Sequence, residues 1–347
     1  MSTEGRRTGV DLARWVAFVG MVFVNFGIVM RGPDGAGDTM WMAEFVDALA
    51  GRAASLFVVL AGLGLGWTAR RSSRAIVVKR GLFLFVLGLA NATIFSGDIL
   101  HFYGVWFVIG AFVMRWRVPV LLAVAGAVVV ASALMILSLD YDAGWNWSTL
   151  EYTDFWTAAG MLRHMFFNGW HPVFPWFAFL LLGLSIAHLD LARTKTRSWL
   201  ILGGATVSVV AQWLSHELVA NFTPELGAPT AQAVFGTSSI PPMPLYVLAA
   251  GGSSVAVLGL CLVVADIVPW LAAALAPAGR QTLTLYLGHI VIGMGCLEVM
   301  GVVGNQTVDH AVYAAGIFCL VATVAAWLWS KRFAKGPLEA VMRKCTG

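Results

Sequence analysis

Long, uninterrupted apolar runs dominate this sequence, and about ten of them are roughly 20 residues in length. A run of about 20 apolar residues is long enough to cross a bilayer as an α-helix. The strands of an outer-membrane barrel would instead alternate apolar and polar residues. Because only helices and closed barrels satisfy their backbone hydrogen bonds in lipid, the runs predict an all-α, polytopic integral membrane protein.

The composition indicates the same class of protein. Hydrophobic residues make up 59% of the 347 residues and charged residues only 12%, with a mean hydropathy of +0.81. Soluble domains carry about 25% charged residues, so a soluble enzyme, a disordered chain and a fibrous protein are excluded. We place ten spans at approximately 10–30, 44–67, 79–96, 99–115, 118–138, 172–188, 198–220, 244–267, 281–303 and 310–330.

Two shorter amphipathic segments lie between these spans, at about 147–168 and about 268–278. The first contains Trp147, Tyr152 and Trp156, and such aromatic side chains anchor helices at a membrane surface. We therefore expect both segments to form short interfacial helices.

Basic residues are distributed unevenly between alternate loops. Of the 22 lysines and arginines, 18 lie in one set of loops, whereas the opposite loops contain only Arg31 and Arg163. Arg14 and Arg52 fall within spans. Because cytoplasmic loops carry the excess of basic residues, both termini are predicted to be cytoplasmic.

This topology predicts a single transmembrane domain over residues 1–347. Its outer loops would be about 31–43, 139–171 and 221–243, and its cytoplasmic tail about 331–347. Any chemistry would then take place in or at the membrane.

Several classes of partner are not expected. The net charge of +4 at pH 7 is explained by the basic residues between the spans, so we expect no nucleic-acid partner. The 4 cysteines have no spacing typical of a metal site or a disulfide framework, and no metal is expected. Such a chain requires the lipid bilayer as a partner. A homodimer is left open by the sequence.

The first span places three polar residues on one helix face. Asp11 and Arg14 are three residues apart and Asn25 lies eleven residues after Arg14, about three turns further along. Ionisable groups within spans are costly, and they usually face a cavity or a partner. This face therefore either contributes to a functional site or holds a snorkelling ion pair and an interhelical amide hydrogen bond.

Arg52 lies in the outer half of the second span, where the positive-inside bias opposes a basic residue. It could bind a substrate, or it could form a structural pair with Asp47 or Asp98.

The turn before the fourth span brings Asp98 and His101 together, because they are three residues apart at the first turn of a helix. A carboxylate orients an imidazole for proton transfer in this arrangement. Tyr103 follows on the same helix. The alternative is a helix cap beside an interfacial histidine.

Two further segments carry histidines near proline or arginine. His171 precedes the prolines that open the sixth span, so it could act as a general base in an outer vestibule or belong to a helix cap. Arg280 opens the ninth span, and His289 follows nine residues later. For His289 the favoured interpretation is a structural hydrogen bond within the protein. His164 is interpreted as an interfacial residue.

Together these motifs resemble the transmembrane acyltransferase superfamily, particularly its YeiB-like bacterial branch. The first-span pattern, Asp11 and Arg14 followed by Met-Val-Phe-Val-Asn25-Phe-Gly, is similar to the first span of heparan-α-glucosaminide N-acetyltransferase. Acyltransferase-three proteins share the Arg14 spacing but have histidine where this chain has Asn25. The turn at Asp98, the His171-Pro-Val-Phe-Pro-Trp segment and the Gly-Arg280-x-x-Leu-Thr-Leu-Tyr motif resemble the YeiB-like branch.

The resemblance implies acyl transfer across a bacterial inner membrane, from cytoplasmic acyl-CoA, most simply acetyl-CoA, to an unknown hydroxyl or amine acceptor in the cell envelope, such as a glycan. The heparan enzyme uses a histidine in its first luminal loop, and the corresponding loop here contains none. His171 and His101 are therefore the expected replacements, with Asp98 as orienting carboxylate and Asn25 as oxyanion donor.

Basic residues near the cytoplasmic side are expected to bind the phosphates of acyl-CoA, unless they only fix the topology. These residues are Arg14, Arg70, Arg71, Arg74, Lys79, Arg80 and Arg280. Arg52 and Tyr103 are expected to bind the acceptor. Two alternatives remain open, a transporter or flippase that uses the same polar cavity and a membrane sensor without a substrate.

Overall fold

Helices form almost all of the regular structure of the chain. The computed structural model describes residues 3–32, 37–69 and 72–347, with the side chains of the first helix described from residue 8 onward. Arg70 and Arg71, which we expect to bind acyl-CoA, lie outside the described residues.

The first half of the chain contains α1 (Thr3–Met30), α2 (Met40–Leu49), α3 (Arg52–Ala69), α4 (Arg74–Ala92), α5 (Leu100–Val113), α6 (Val118–Ser138), β1 (Trp145–Asn146), β2 (Glu151–Tyr152), α7 (Ala158–Arg163) and the π-helix π1 (His164–Asn168). The second half contains α8 (Val173–Ile186), α9 (Thr194–Leu226), α10 (Ala228–Phe235), α11 (Pro244–Ile267), α12 (Pro269–Gly279), α13 (Thr282–Gly288), the π-helix π2 (His289–Met294), α14 (Gly295–Val299), α15 (Val308–Ser330) and α16 (Pro337–Thr346).

The prediction of an all-α polytopic membrane protein is confirmed. Among the described residues, 8 helical segments are long and apolar enough to cross a membrane, and a ninth candidate is the pair Ala158–Asn168 and Val173–Ile186, which bends by 51°. The shorter apolar helix Leu100–Val113 coincides with the remaining predicted span. The cytoplasmic position of the termini stays a prediction.

The prediction of an interfacial helix over 147–168 is wrong for its first half. Residues 145–152 form a two-stranded antiparallel hairpin that pairs Trp145 with Tyr152, and helix begins only at Ala158. The side chain of Asn146 accepts hydrogen bonds from the backbone and hydroxyl of Ser148, and this local bonding stabilises a turn. Tyr152, expected as a surface anchor, is only 9% exposed, whereas Trp156 is 62% exposed.

The second amphipathic segment is helical as predicted, and α12 packs along α1. Ala272, Ala276 and Ala278 are buried. A Cβ at Gly279 would lie 1.8 Å from the carbonyl oxygen of Asp11. Small residues allow this close approach of two helices.

The chain divides into two compact units, each built from segments that are distant in sequence. Unit 1 contains Met1–Phe57, Leu191–Ile201 and Ala256–Lys344, and unit 2 contains Val58–Asp190, Leu202–Val255 and Cys345–Gly347. The single transmembrane domain over 1–347 stays a prediction.

Within unit 1, α1 packs against α12 and α15. The start of α15 is fixed by reciprocal hydrogen bonds, because the Val308 amide donates to Asp38 over 2.7 Å and the Thr39 amide donates to Asp309 over 2.9 Å. Arg197, one of the 18 basic residues assigned to the cytoplasmic loops, is 3% exposed and forms an ion pair with Asp266.

Within unit 2, glycines bring α4 and α5 into close contact. A Cβ at Gly88 would lie 2.1 Å from the amide nitrogen of His101, and a Cβ at Gly104 would lie 2.7 Å from the backbone of Phe85. The polar turn that starts α5 is therefore held directly against the backbone of α4.

We expect Gly88→Ala to lower the stability of the protein by about 1–3 kcal/mol, because the new methyl group overpacks the contact between α4 and α5. The measurement is the thermal midpoint of the purified protein in detergent. Gly126→Ala is the matched control, since nothing lies within 4 Å of a Cβ at Gly126 on α6. Equal midpoints for the two variants would contradict the close contact.

Candidate active site

A buried carboxylate and a buried histidine meet at the start of α5, as their spacing predicts. Oδ2 of Asp98 lies 2.9 Å from Nδ1 of His101 and accepts a hydrogen bond of 3.1 Å from the His101 amide. Oδ1 of Asp98 accepts a hydrogen bond of 2.7 Å from the amide side chain of Asn91. Asp98 and His101 are 0% exposed and Asn91 is 2% exposed.

These partners determine the tautomer of His101. Both oxygens of Asp98 already accept hydrogen bonds, from the His101 amide and from Asn91, so Nδ1 of His101 is the donor in its contact with Oδ2 and Nε2 is the acceptor nitrogen of that tautomer. Nε2 is buried and has no hydrogen-bond partner among the described residues. The ring is therefore oriented as a proton acceptor would be, with its basic nitrogen free.

Two more histidines lie beside this pair. The rings of His101 and His164 are stacked with centroids 5.7 Å apart, and Phe102 contacts His164 at 5.2 Å and His171 at 5.8 Å. His171 also packs against Trp176 at 4.5 Å. The structure thus brings the predicted residues Asp98, His101 and His171 into one cluster. Within the described residues, no group of His, Cys, Asp or Glu is arranged to hold a metal ion.

His164 was not expected in this cluster. It is 1% exposed, and aromatic rings surround it, with Tyr152 at 4.6 Å, Phe155 at 4.9 Å and Trp145 at 6.1 Å. It is also the first residue of π1, and π-helical turns are frequent at functional sites. The interpretation of His164 as an interfacial residue is therefore wrong, because the hairpin that covers it replaces the expected surface helix.

A cleft of about 450 Å³ opens beside His164. Its wall combines the end of α4 and the turn after it, the hairpin with the turn after it, and π1 with Trp170 just beyond it. The lining residues are Ala92, Thr93, Ser96, Glu151, Tyr152, Thr153, Phe155, Trp156, His164 and Trp170.

Asn168 fixes the hairpin and the loop before it to π1 through four hydrogen bonds. Its side-chain nitrogen donates to the carbonyl oxygens of Tyr141 and Ala143 over 2.8 and 2.9 Å. Its side-chain oxygen accepts from the Tyr152 hydroxyl over 2.7 Å, and its carbonyl oxygen accepts from the indole of Trp145 over 2.6 Å. Asn168 is 0% exposed, so these bonds form in surroundings that make them strong.

Arg163 of α7 holds Tyr152, a residue of the cleft lining, without belonging to the lining itself. It forms an ion pair with Asp154 at 2.7 Å and donates a hydrogen bond of 2.8 Å to the Tyr152 hydroxyl oxygen. Burial raises the pKa of the Tyr152 phenol, and the hydrogen bond from Arg163 opposes that shift. Tyr152 is therefore neutral at pH 7 and keeps the hydrogen that it donates to Asn168.

In unit 1, Asn25 is hydrogen-bonded to His289. The amide nitrogen of Asn25 lies 2.9 Å from Nε2 of His289, and Nδ1 of His289 is bonded to the carbonyl oxygen of Tyr286. Because a carbonyl oxygen only accepts, Nδ1 carries the hydrogen, and Asn25 must donate to Nε2. His289 also begins a π-helix, π2. The favoured interpretation of His289, a hydrogen bond within the protein, is confirmed.

Asp11 of α1 lies between two arginines of unit 1. Its carboxylate oxygens are 2.7 Å from Arg14 Nη1 and 3.8 Å from Arg280 Nη1. The side chains of Arg14 and Arg280 are 29% and 48% exposed. Two of the residues expected to bind acyl-CoA are thus brought together, and Arg74 lies exposed at the start of α4 in unit 2.

The two residues expected to bind the acceptor occupy different surroundings. Arg52 is half-buried and donates a hydrogen bond of 3.3 Å to the carbonyl oxygen of Ala48. Tyr103 is 5% exposed and packs against Trp106 with ring centroids 5.0 Å apart. Their roles in binding stay predictions, as do the roles of the other predicted site residues.

Two family models match the chain and together cover most of it. Residues 6–220 match the family described as heparan-alpha-glucosaminide N-acetyltransferase, catalytic. Residues 186–347 match a family described as a protein of unknown function (DUF418). A comparison with curated proteins gave no match.

Proposed function

Because this chain belongs to the membrane acyltransferase-type family of the heparan-alpha-glucosaminide N-acetyltransferase catalytic domain, in its YeiB-like branch, we propose that it transfers an acyl group from acyl-CoA to an acceptor. The donor is acetyl-CoA in the simplest case, and it binds from the cytoplasm. The acceptor is a hydroxyl or amine on the outer face of a bacterial inner membrane, such as a glycan or another cell-envelope component.

The buried Asn91–Asp98–His101 chain of hydrogen bonds is the observation that carries this proposal. Acyl transfer needs a base that removes a proton from the acceptor as it attacks the thioester. The pair supplies an oriented imidazole, since Asp98 holds the His101 ring at 2.9 Å and Nε2 has no partner among the described residues. We assign the acid–base part of the reaction to the histidine cluster that this pair anchors, with His171 as a second histidine of the cluster.

The donor half of the proposal rests on unit 1. Arg14 and Arg280 present partly exposed guanidinium groups beside Asp11, and guanidinium groups bind phosphates through paired hydrogen bonds. The amide of Asn25 keeps one hydrogen after its bond to His289. We propose that this hydrogen stabilises the oxyanion that develops on the thioester carbonyl.

The decisive experiment uses purified protein with radiolabelled acetyl-CoA and glucosamine, the acceptor suggested by the name of the matched family. We expect release of free CoA together with a labelled, acetylated product. His101→Gln should abolish both, whereas Asp140→Asn, an exposed carboxylate outside the cluster, should leave them unchanged. Absence of any labelled product from the wild-type protein with amine and hydroxyl acceptors would overturn the proposal.

One observation favours a second candidate function, transport of a solute. The pair Ala158–Asn168 and Val173–Ile186 is bent by 51°, and broken helices form the substrate sites of many transporters. Uptake of unmodified radiolabelled glucosamine into proteoliposomes would support transport. Product that carries an acetyl group would support acyl transfer instead.

A further inference from the structure

We propose that the 450 Å³ cleft beside His164 binds the acceptor and that His164 is the catalytic residue that takes its proton. This inference rests on the proposed acyl transfer and assigns the acceptor site within unit 2. It adds a residue that the sequence motifs do not single out.

The first support is the position of His164. Its ring lines the cleft, yet it is 1% exposed, and its Nδ1 atom has no hydrogen-bond partner among the described residues. A buried polar atom without a partner costs free energy, and a catalytic role is one reason that proteins keep such a group. The indole nitrogen of Trp170, also in the lining, is a second buried atom without a partner.

The second support is the construction around the ring. Tyr152 and Phe155 pack edge-on against His164 at 4.6 and 4.9 Å. Asn168, which closes π1, bonds to the hairpin that carries Tyr152. Because these neighbours hold the His164 side chain on several sides, moving it would cost free energy. A catalytic group has to be held in position in this way before the reaction.

The lining also indicates the chemical class of the acceptor. Four aromatic side chains, Tyr152, Phe155, Trp156 and Trp170, offer ring surfaces, and Glu151 is the one acidic residue among the lining residues. No lysine or arginine belongs to the lining in the described part of the chain. Aromatic faces and a carboxylate suit a neutral or cationic group. The acceptor is therefore a ring-shaped hydroxyl or amine compound without a negative charge near the reacting atom.

The proposed reaction is a direct transfer of the acyl group from sulfur to the acceptor. The acceptor nitrogen or oxygen attacks the thioester carbonyl carbon of acyl-CoA, and a new carbon–nitrogen or carbon–oxygen bond forms while the carbon–sulfur bond breaks. His164 takes the proton from the acceptor and returns it to the departing CoA thiolate. The His101 ring stacks on the His164 ring with centroids 5.7 Å apart, and Asp98 holds Nδ1 of His101 at 2.9 Å.

The first test is His164→Gln, assayed for acetyl transfer to glucosamine. We expect kcat to fall by about 10²–10⁴-fold, the usual contribution of a general base, while the KM for acetyl-CoA stays within threefold. His216→Gln, an exposed histidine of unit 2, should behave as the wild type. A kcat for His164→Gln within threefold of the wild-type value would overturn the assignment.

The second test needs no turnover and does not alter His164. Thr93→Cys places a thiol in the cleft at the end of α4, and Ser148→Cys places one in the turn of the hairpin, outside the lining. Both are made with Cys261, Cys296, Cys319 and Cys345 replaced by serine or alanine. We expect glucosamine to slow the reaction of Thr93→Cys with a methanethiosulfonate reagent and to leave Ser148→Cys unaffected.

The two proposals fail in different ways. Protection of Thr93→Cys without any acetyl transfer by the wild type would overturn the proposed function and support the cleft as a binding site. Acetyl transfer without protection at saturating glucosamine would support the function and overturn the cleft as the acceptor site.

Discussion

Replacing Asp98 with asparagine should lower kcat for acetyl transfer by about 10²–10⁴-fold, the range that a positioned acid–base group contributes. Asparagine has nearly the same shape, so it can still accept the hydrogen bond from the His101 amide. It has no negative charge, and its amide group can turn to donate to Nδ1, which would place the ring in the wrong tautomer. Steady-state kinetics with acetyl-CoA and glucosamine measure the change.

The same variant separates catalysis from helix capping. If Asp98 only caps α5, Asp98→Asn should change stability by less than about 1 kcal/mol and leave kcat unaltered, because asparagine caps helices about as well as aspartate. Asn91→Ala removes the 2.7 Å hydrogen bond to Asp98 but keeps the carboxylate, and we expect a smaller loss of kcat. A normal kcat in Asp98→Asn would contradict the assignment of the pair.

The parts of the molecule that could be predicted from sequence are the parts that local pattern controls. The apolar runs predict each membrane-spanning helix because a helix in lipid satisfies its own backbone, whatever it packs against. The contact between Asp98 and His101 is also local, since residues three apart share one face of the helix that begins there.

Contacts that depend on tertiary packing could not be predicted. Asn25 and His289 are 264 residues apart, and nothing in the pattern around either residue indicates the other. His164 was misjudged because its environment comes from a hairpin and from a π-helix. In a π-helix the extra residue per turn rotates the side chains that follow, so helical spacing no longer predicts which of them face the same side.

The contact of Asn91 with Asp98 is only partly predictable from the sequence. It is a polar residue in an apolar run, and that alone marks it as a residue with a partner inside the protein. The short connection between α4 and α5 turns the chain back on itself, so Asn91 returns to within 2.7 Å of Asp98. A search for polar residues on both sides of each short turn would have found it.

Replacing Asn25 with alanine should lower kcat by about 10²–10³-fold, the effect of removing one oxyanion donor. In terms of the activation barrier this is about 2.7–4 kcal/mol. The alternative is that Asn25 only joins α1 to π2, and a polar side-chain bond between membrane helices contributes on average about 0.6 kcal/mol of stability. The magnitudes differ enough for one variant to decide between the two roles, if kcat and the thermal midpoint are both measured.

His289 supplies the matching control for Asn25. His289→Gln can keep an acceptor for the Asn25 amide, whereas His289→Ala cannot, so we expect glutamine to retain more of kcat than alanine does. Asn25→Asp should lower kcat as much as Asn25→Ala does, because a carboxylate repels an oxyanion instead of donating a hydrogen bond to it. If Asn25→Ala reduces kcat by less than threefold while the thermal midpoint falls, the residue is a structural link between two helices and the oxyanion donor must be sought elsewhere.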